Sequence, residues 1–162
     1  MEGVERYKVR LLPYNQKWST EFLLAKKQIE IIWKDNILDI QHVGSTSINI
    51  ICAKPILDIA IKLKSINNMK VESMIKLGYD YCGQQYNNPN HYLYVLRGIN
   101  QISLRHIHCY NSDDKEFLQL VGFRDYLNTH HDVAFQYAKL KIELAKQYPD
   151  DRLSYTYLVY TS

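Results

Sequence analysis

The sequence predicts an α/β (α+β) fold, a mixed sheet with helices packed against it. Three observations carry that prediction. Trp18, Phe22, Ala25, Ile29, Ile32 and Trp33 recur at helical spacing and form one apolar stripe. Two apolar runs of strand length, 37–43 and 56–63, flank a small-residue turn, Gly44-Ser45-Thr46-Ser47. Two more strand-like arms, 91–96 and 102–110, surround Gly98-Ile99-Asn100, which reads as a hairpin turn.

The other elements follow in order. Residues 9–12 read as a short strand ended by Pro13, and Asn15 can cap a helix over about 16–34. The turn after Val43 can open a short helical segment towards Ala53, and Pro55 suits the start of the next strand. Ser65 to Asn68 can cap a helix whose apolar side is Val71, Met74 and Ile75. Gly78 stands where a left-handed residue ends that helix. Residues 79–82 read as strand and the polar stretch 83–90 as a mobile loop. Helices follow over about 115–128 and 132–148, Pro149 stops the second, and the tail 150–162 has room for one short helix more.

The 162 residues, 46% hydrophobic and 23% charged, suit one domain over 1–162 with its own core. A net charge of +3 with no block of like charge does not indicate nucleic acid, and it is compatible with an anionic ligand. No apolar run approaches the roughly 20 residues of a membrane span. The first ten residues hold no apolar signal-peptide core. Cys52, Cys82 and Cys109 lack C-x-x-C spacing and read as buried free thiols in a reducing, cytoplasmic setting.

The chemistry concentrates between Gln41 and Ile61. Gly44 lets the backbone approach a ligand, and Ser45, Thr46 and Ser47 add hydroxyls beside backbone N–H groups suited to an anion. Asp58 lies between Leu57 and Ile59 on a strand, where an acid needs a partner. Carboxylates beside a phosphate-binding turn commonly hold Mg²⁺. A second ligand on the same strand face belongs two residues on, and that residue is Ala60. His106 and His108 share a strand face, and with Asp58 they could form a two-His, one-carboxylate site. His42 precedes the turn and can orient it. Arg124 falls in the inward stripe of its helix with Phe117, Leu120, Val121 and Leu127. There it requires an acidic or phosphate partner, with Asp58, Asp125 and a bound phosphate as candidates. Lys54 is a further phosphate candidate, and Lys141, towards the edge of its helix stripe, could also reach in.

The motifs H-V-G-S-T-S, K-P-I-L-D-I, R-H-I-H, F-R-D-Y-L and A-x-x-Y-A-x-L-K-x-x-L-A occur in this order between Leu12 and Ala145. In this the chain resembles the GrpB family of the nucleotidyltransferase superfamily. The resemblance implies a minimal nucleotidyltransferase-like fold. It also implies that Gly44 and Ser45 match the phosphate turn and Asp58 the first metal carboxylate. Residues 48–51 depart from the V-P-G-L common in the family.

The leading expectation is a protein that binds a nucleoside triphosphate with Mg²⁺ or Mn²⁺ and transfers a nucleotidyl group to an unknown acceptor. Asp58, His106 and His108 are the catalytic candidates, and Asp58 and His108 the metal ligands. His42, Gly44, Ser45, Thr46, Ser47, Lys54 and Arg124 are the candidates for phosphate binding. The alternatives are a catalytically inactive nucleotide- or ligand-binding module and a metal-dependent hydrolase or oxygenase built on Asp58, His106 and His108.

Overall fold

The computed structural model of the chain describes residues 1–5 and 8–161. Five strands form one mixed sheet in the order β1-β2-β5-β4-β3. They are β1 (Ile37–Val43), β2 (Leu57–Leu63), β3 (Tyr79–Gln85), β4 (Asn88–Arg97) and β5 (Ser103–Asn111). β2 and β5 are parallel, and the other neighbours are antiparallel. The helices are α1 (Lys17–Trp33), α2 (Val71–Lys76), α3 (Lys115–Thr129), α4 (His131–Gln147) and α5 (Arg152–Thr161). This is the helix-flanked mixed sheet that the sequence predicts.

Side chains alternate across β2, and the alternation divides the molecule. Leu57, Ile59, Ile61 and Leu63 are fully buried with Ala25, Ile29 and Trp33 of α1 and Met74 of α2 in the largest core cluster. Asp58 and Ala60 take the opposite face. There Val43, Ala60, Tyr110 and Phe117 form a smaller cluster backed by Leu120 and Val121 of α3. A strand with apolar residues on both faces is shielded on both sides. The acid at position 58 is therefore an exception that the site has to accommodate.

Local signals place the ends of the elements. Asn15 Oδ1 accepts the Lys17 amide at 2.9 Å at the start of α1. Gly78 has φ +101° just beyond α2, a conformation that disfavours other residues. Three expectations are corrected. Residues 9–12 form no strand; Leu12 makes a single bridge to Ala53, because each amide bonds the other's carbonyl at 2.9 Å. The stretch 83–90 is mostly sheet, since β3 continues to Gln85 and β4 begins at Asn88. Asn88 is anchored there by a 2.9 Å bond from its amide to Glu116. Cys82 is exposed because β3 is an edge strand, whereas Cys109 is buried; all three cysteines are free. The tail forms α5, and Ser162 lies outside the described residues. No described helix is long and apolar enough to cross a membrane.

Ile61→Ala removes a fully buried side chain from the larger core. It is expected to lower unfolding stability by about 2–5 kcal/mol in urea titration. Leu24→Ala, at a position 54% exposed, is expected to change it by no more than about 0.5 kcal/mol.

Candidate functional site

β1 ends at Val43, the cross-strand partner of Asp58. The chain then turns sharply through Gly44, at φ +73°, into a single helical turn over Ser45–Ser47. A Cβ on Gly44 would lie 2.6 Å from Asp58 Oδ2, so the turn rests directly on the carboxylate and only glycine fits. The turn is tied from several sides. Ser47 Oγ donates to the Gly44 carbonyl, and Thr46 Oγ1 lies 2.9 Å from His42 Nε2. Asn128 of α3 donates to the Ser47 carbonyl at 3.1 Å and accepts from the Asn49 amide at 2.9 Å.

Asp58 is the cross-strand partner of His106, and Ala60 of His108. Parallel register puts these side chains on one face, and the methyl of Ala60 leaves room for the His108 ring to reach back. Asp58 Oδ1 lies 3.1 Å from His108 Nε2 and 3.5 Å from His106 Nδ1. Burial alone would push the Asp58 carboxyl up. Hydrogen bonds from His106 and His108, and their charge, outweigh burial and hold it well below the usual carboxylate range. The three side chains are the one cluster of potential metal ligands among the described residues, with donor atoms within 4.8 Å of one another. Two imidazole nitrogens and a carboxylate oxygen are a fitting donor set for a divalent cation. All three side chains retain 20–26% exposure, so solvent and a ligand can reach them.

Lys54 is near enough to feel the Asp58 charge, and Lys141 is near Lys54. Lys141 of α4 is 2% exposed and donates to the Cys52 carbonyl at 2.7 Å. Burial and the nearby Lys54 ammonium lower its pKa to about 8. Burial and Arg152 lower that of Lys54 to about 8 against the pull of Asp58. Tyr137 lies between the two parts of the site: its hydroxyl is near Ser45, and its ring lies 5.1 Å from the Lys141 ammonium. Two cations held this close in a poorly solvated place await negative charge.

The structure brings together Gly44, Ser45, Asp58, His106 and His108 of the residues singled out in the sequence, and it sets the Lys54 ammonium over the Tyr155 ring at 5.2 Å, within reach of the Asp58 charge. His42, Thr46, Ser47 and Arg124 take other positions. His42 faces α1, its ring stacked 5.2 Å from Phe22, and desolvation lowers its pKa to about 4. With Thr46 it supports the turn from behind. Arg124 points inward as expected, but Gln41 Oε1 at 2.8 Å and the His42 carbonyl at 2.9 Å take its Nη1, and Asp125 takes Nε and Nη2. Its partners are the end of β1, because α3 packs across that strand, and Asp125, one of the acids expected for it. Among the described residues no second acid joins Asp58: Asp80 pairs with Arg97, and Asp114 caps α3 through the Glu116 amide at 2.8 Å. Sequence reasoning placed Lys141 at a helix edge and overlooked Tyr137. Both lie in the A-x-x-Y-A-x-L-K motif, which was the available signal.

Lys141→Met tests the buried cation. A lysine whose pKa falls from 10.5 unfolded to about 8 folded binds fewer protons when folded over that interval. Wild-type stability is therefore expected to rise relative to the variant as pH increases from about 8 towards 10, read as the difference in urea midpoints. A difference independent of pH would contradict the assignment.

The GrpB protein family matches residues 8–158. The chain is 36% identical over 145 residues to the UPF0157 protein YqkA of Bacillus subtilis, covering 88% of this chain and 41% of that protein. It is 31% identical over 160 residues to the glutamate-rich protein GrpB of Alkalihalophilus pseudofirmus, covering 96% and 92%. The chain thus spans less than half the length of one relative and nearly all of the other. The crystal structure of the conserved protein GrpB from Enterococcus faecalis superposes with a TM-score of 0.85 at 27% identity, over 94% of this chain and 93% of that one. The Cid1 poly(U) polymerase bound to MgATP superposes with a TM-score of 0.55 at 10% identity, over 83% of this chain and 44% of that one, a likeness of fold alone. The chain belongs to the GrpB family and has a nucleotidyltransferase-like fold.

Proposed function

We propose that this protein binds a nucleoside triphosphate together with Mg²⁺ or Mn²⁺ and transfers the nucleotidyl group to an acceptor nucleophile. One observation carries the reading: an ionised carboxylate on a strand lies against a glycine–serine turn, with the half-buried Lys54 and the buried Lys141 nearby. That arrangement suits a ligand that brings both negative charge and a cation. The MgATP and MgGTP held by the Cid1 structures of similar fold support the same ligand class.

In this reading the phosphates lie against the Gly44–Ser45 turn, and Lys54 and Lys141 offset their charge. Asp58 and His108 would hold the cation, which when bound neutralises charge developing on the phosphate oxygens. His106 is within reach as a third donor or as the base that takes the acceptor's proton. The acceptor oxygen bonds to the α-phosphorus as the bond to the β-phosphate oxygen breaks, and pyrophosphate leaves. The substrate-binding work falls to preorganised groups, which is where most of the barrier lowering in such transfers arises.

A second reading keeps the ligand and drops the reaction. Ala60, fully buried, stands where a second carboxylate would complete a two-metal arrangement. The chain is then a nucleotide- or ligand-binding module.

The test is thermal unfolding with each of ATP, GTP, CTP and UTP, with and without Mg²⁺ or Mn²⁺. At a hundredfold excess over Kd a bound ligand adds about 2.7 kcal/mol, roughly 5–10 °C for a chain of this size. Asp58→Asn is expected to abolish the part of the shift that depends on metal, and Lys54→Met to weaken the part that does not. Pyrophosphate release in the presence of an acceptor pool supports transfer. Binding that survives chelation, with no pyrophosphate released, supports the second reading. No shift with any nucleotide contradicts both.

A further inference from the structure

The polar contacts do not stop at His108. Its Nδ1 lies 2.9 Å from Nε2 of His91 on the neighbouring strand β4. His91 Nδ1 in turn faces Glu116 Oε2 of α3 at 3.8 Å, a charge contact longer than a hydrogen bond. The far end of this chain is firmly held. The Asn88 amide donates to the same glutamate oxygen at 2.9 Å and reaches Asp114 at 3.3 Å. Tyr110 stacks on the His91 ring at 4.7 Å, and its hydroxyl is near enough to Glu116 for that carboxylate to act on it. His91 is 9% exposed, between these groups and His108. A line of side chains from β2, β5, β4 and α3 therefore connects Asp58 to Glu116.

The 2.9 Å contact between two imidazole nitrogens needs one proton between them, and a neutral ring carries only one N–H. With both rings neutral this leaves two arrangements. In the first, His91 Nε2–H donates to His108, and His108 Nε2–H donates to Asp58. The unprotonated Nδ1 of His91 then faces the Glu116 carboxylate, lone pair to anion. In the second, His108 Nδ1–H donates to His91, and His91 Nδ1–H faces Glu116. The lone pair of His108 Nε2 then faces the Asp58 carboxylate, which is tolerable only with a cation between them. The strong 3.1 Å bond to Asp58 favours the first arrangement without metal. A cation ligated by His108 Nε2 requires the second.

We propose that His91 and Glu116 are positioning residues for the cation site: cation binding switches both histidines from the Nε2–H to the Nδ1–H tautomer, and Glu116 stabilises the switched pair. Protons balance in this step. The His91 Nε2 proton passes to His108 Nδ1, the His108 Nε2 proton leaves to solvent, and His91 Nδ1 takes one from solvent. Each ring keeps one proton and its charge. A histidine ligand whose other nitrogen is oriented by a second group is a recurring way to fix tautomer and strengthen ligation. Because the ligand so prepared is an imidazole nitrogen, the site takes Mn²⁺ or Zn²⁺ in preference to Mg²⁺, which favours oxygen ligands. The proposal rests on the metal site of the proposed function and specifies how that site is set.

Two measurements decide it, neither of them activity. The first is calorimetric titration of the wild type, Glu116→Gln and His91→Phe with Mn²⁺, Zn²⁺ and Mg²⁺. Expected are tighter binding of Mn²⁺ and Zn²⁺ than of Mg²⁺ and a loss of about 10- to 100-fold in both variants. The second is the ¹⁵N–¹H long-range spectrum of the histidines with and without diamagnetic Zn²⁺. Both His91 and His108 are expected to change from the Nε2–H to the Nδ1–H pattern. Glu116 is partly exposed, so Glu116→Gln and the spectra decide the matter even where His91→Phe does not fold. Cation binding unchanged in Glu116→Gln, or tautomers unaltered by Zn²⁺, overturns this proposal and leaves the metal site standing. A wild type that binds none of the three ions overturns the metal site as well.

Discussion

The carboxylate of Asp58 is the constraint on which the rest of the arrangement depends. It sits on a central strand whose other residues, apart from Lys62, are apolar and buried. A charge in that position is costly unless hydrogen bonds and opposite charge offset the loss of water. Two imidazoles on β5 do so from one side, at 3.1 and 3.5 Å. The parallel pairing of β2 with β5 makes this possible, because it sets Asp58 beside His106 in register. The same carboxylate fixes the identity of Gly44, since a larger residue would collide with Oδ2. One side chain thus links the end of β1, the turn, β2 and β5.

Around that acid the site is asymmetric. The histidines, extended through His91 to Glu116, form a side suited to a cation. Lys54 and Lys141, with pKa values lowered to about 8, form a side suited to an anion. Neither lysine has a carboxylate within ion-pairing distance among the described residues, while Arg124, Arg105 and Arg97 do. A nucleoside triphosphate with its cation meets both requirements at once. The fold shared with the Cid1 poly(U) polymerase is compatible with this ligand, although at 10% identity the likeness concerns architecture alone. Beside Asp58 stands the histidine pair, with Ala60 at the place of a second acid on the same strand face.

Much of the fold could be read from periodicity. The stripe from Trp18 to Trp33 is the core face of α1, and the apolar runs on either side of the Gly-Ser turn are β1 and β2. The exceptions have physical causes. Residues 83–90 have the composition of a loop, but Asn88 is drawn into β4 by Glu116 and Asp114 across the fold, which no local pattern reports. The aligned histidines of β5 followed from strand alternation, and their facing Asp58 required the parallel register. His91 was legible as the start of a strand and no more, because its role depends on which strand neighbours β5. Arg124 shows the opposite case. Its inward direction and its pairing with Asp125 were legible in the helical projection, but its other partners, Gln41 and the His42 carbonyl, depend on where α3 crosses the sheet.

The most direct measurement is a crystal structure of the protein soaked with Mn²⁺ and a non-hydrolysable nucleoside triphosphate, with anomalous data at the manganese edge. The expected result is a manganese peak within bonding distance of Asp58 and His108, and phosphates between the Gly44–Ser45 turn and the ammonium groups of Lys54 and Lys141. A site without manganese, or a triphosphate bound away from Asp58, would contradict the central claim that this carboxylate organises a nucleotide and its cation.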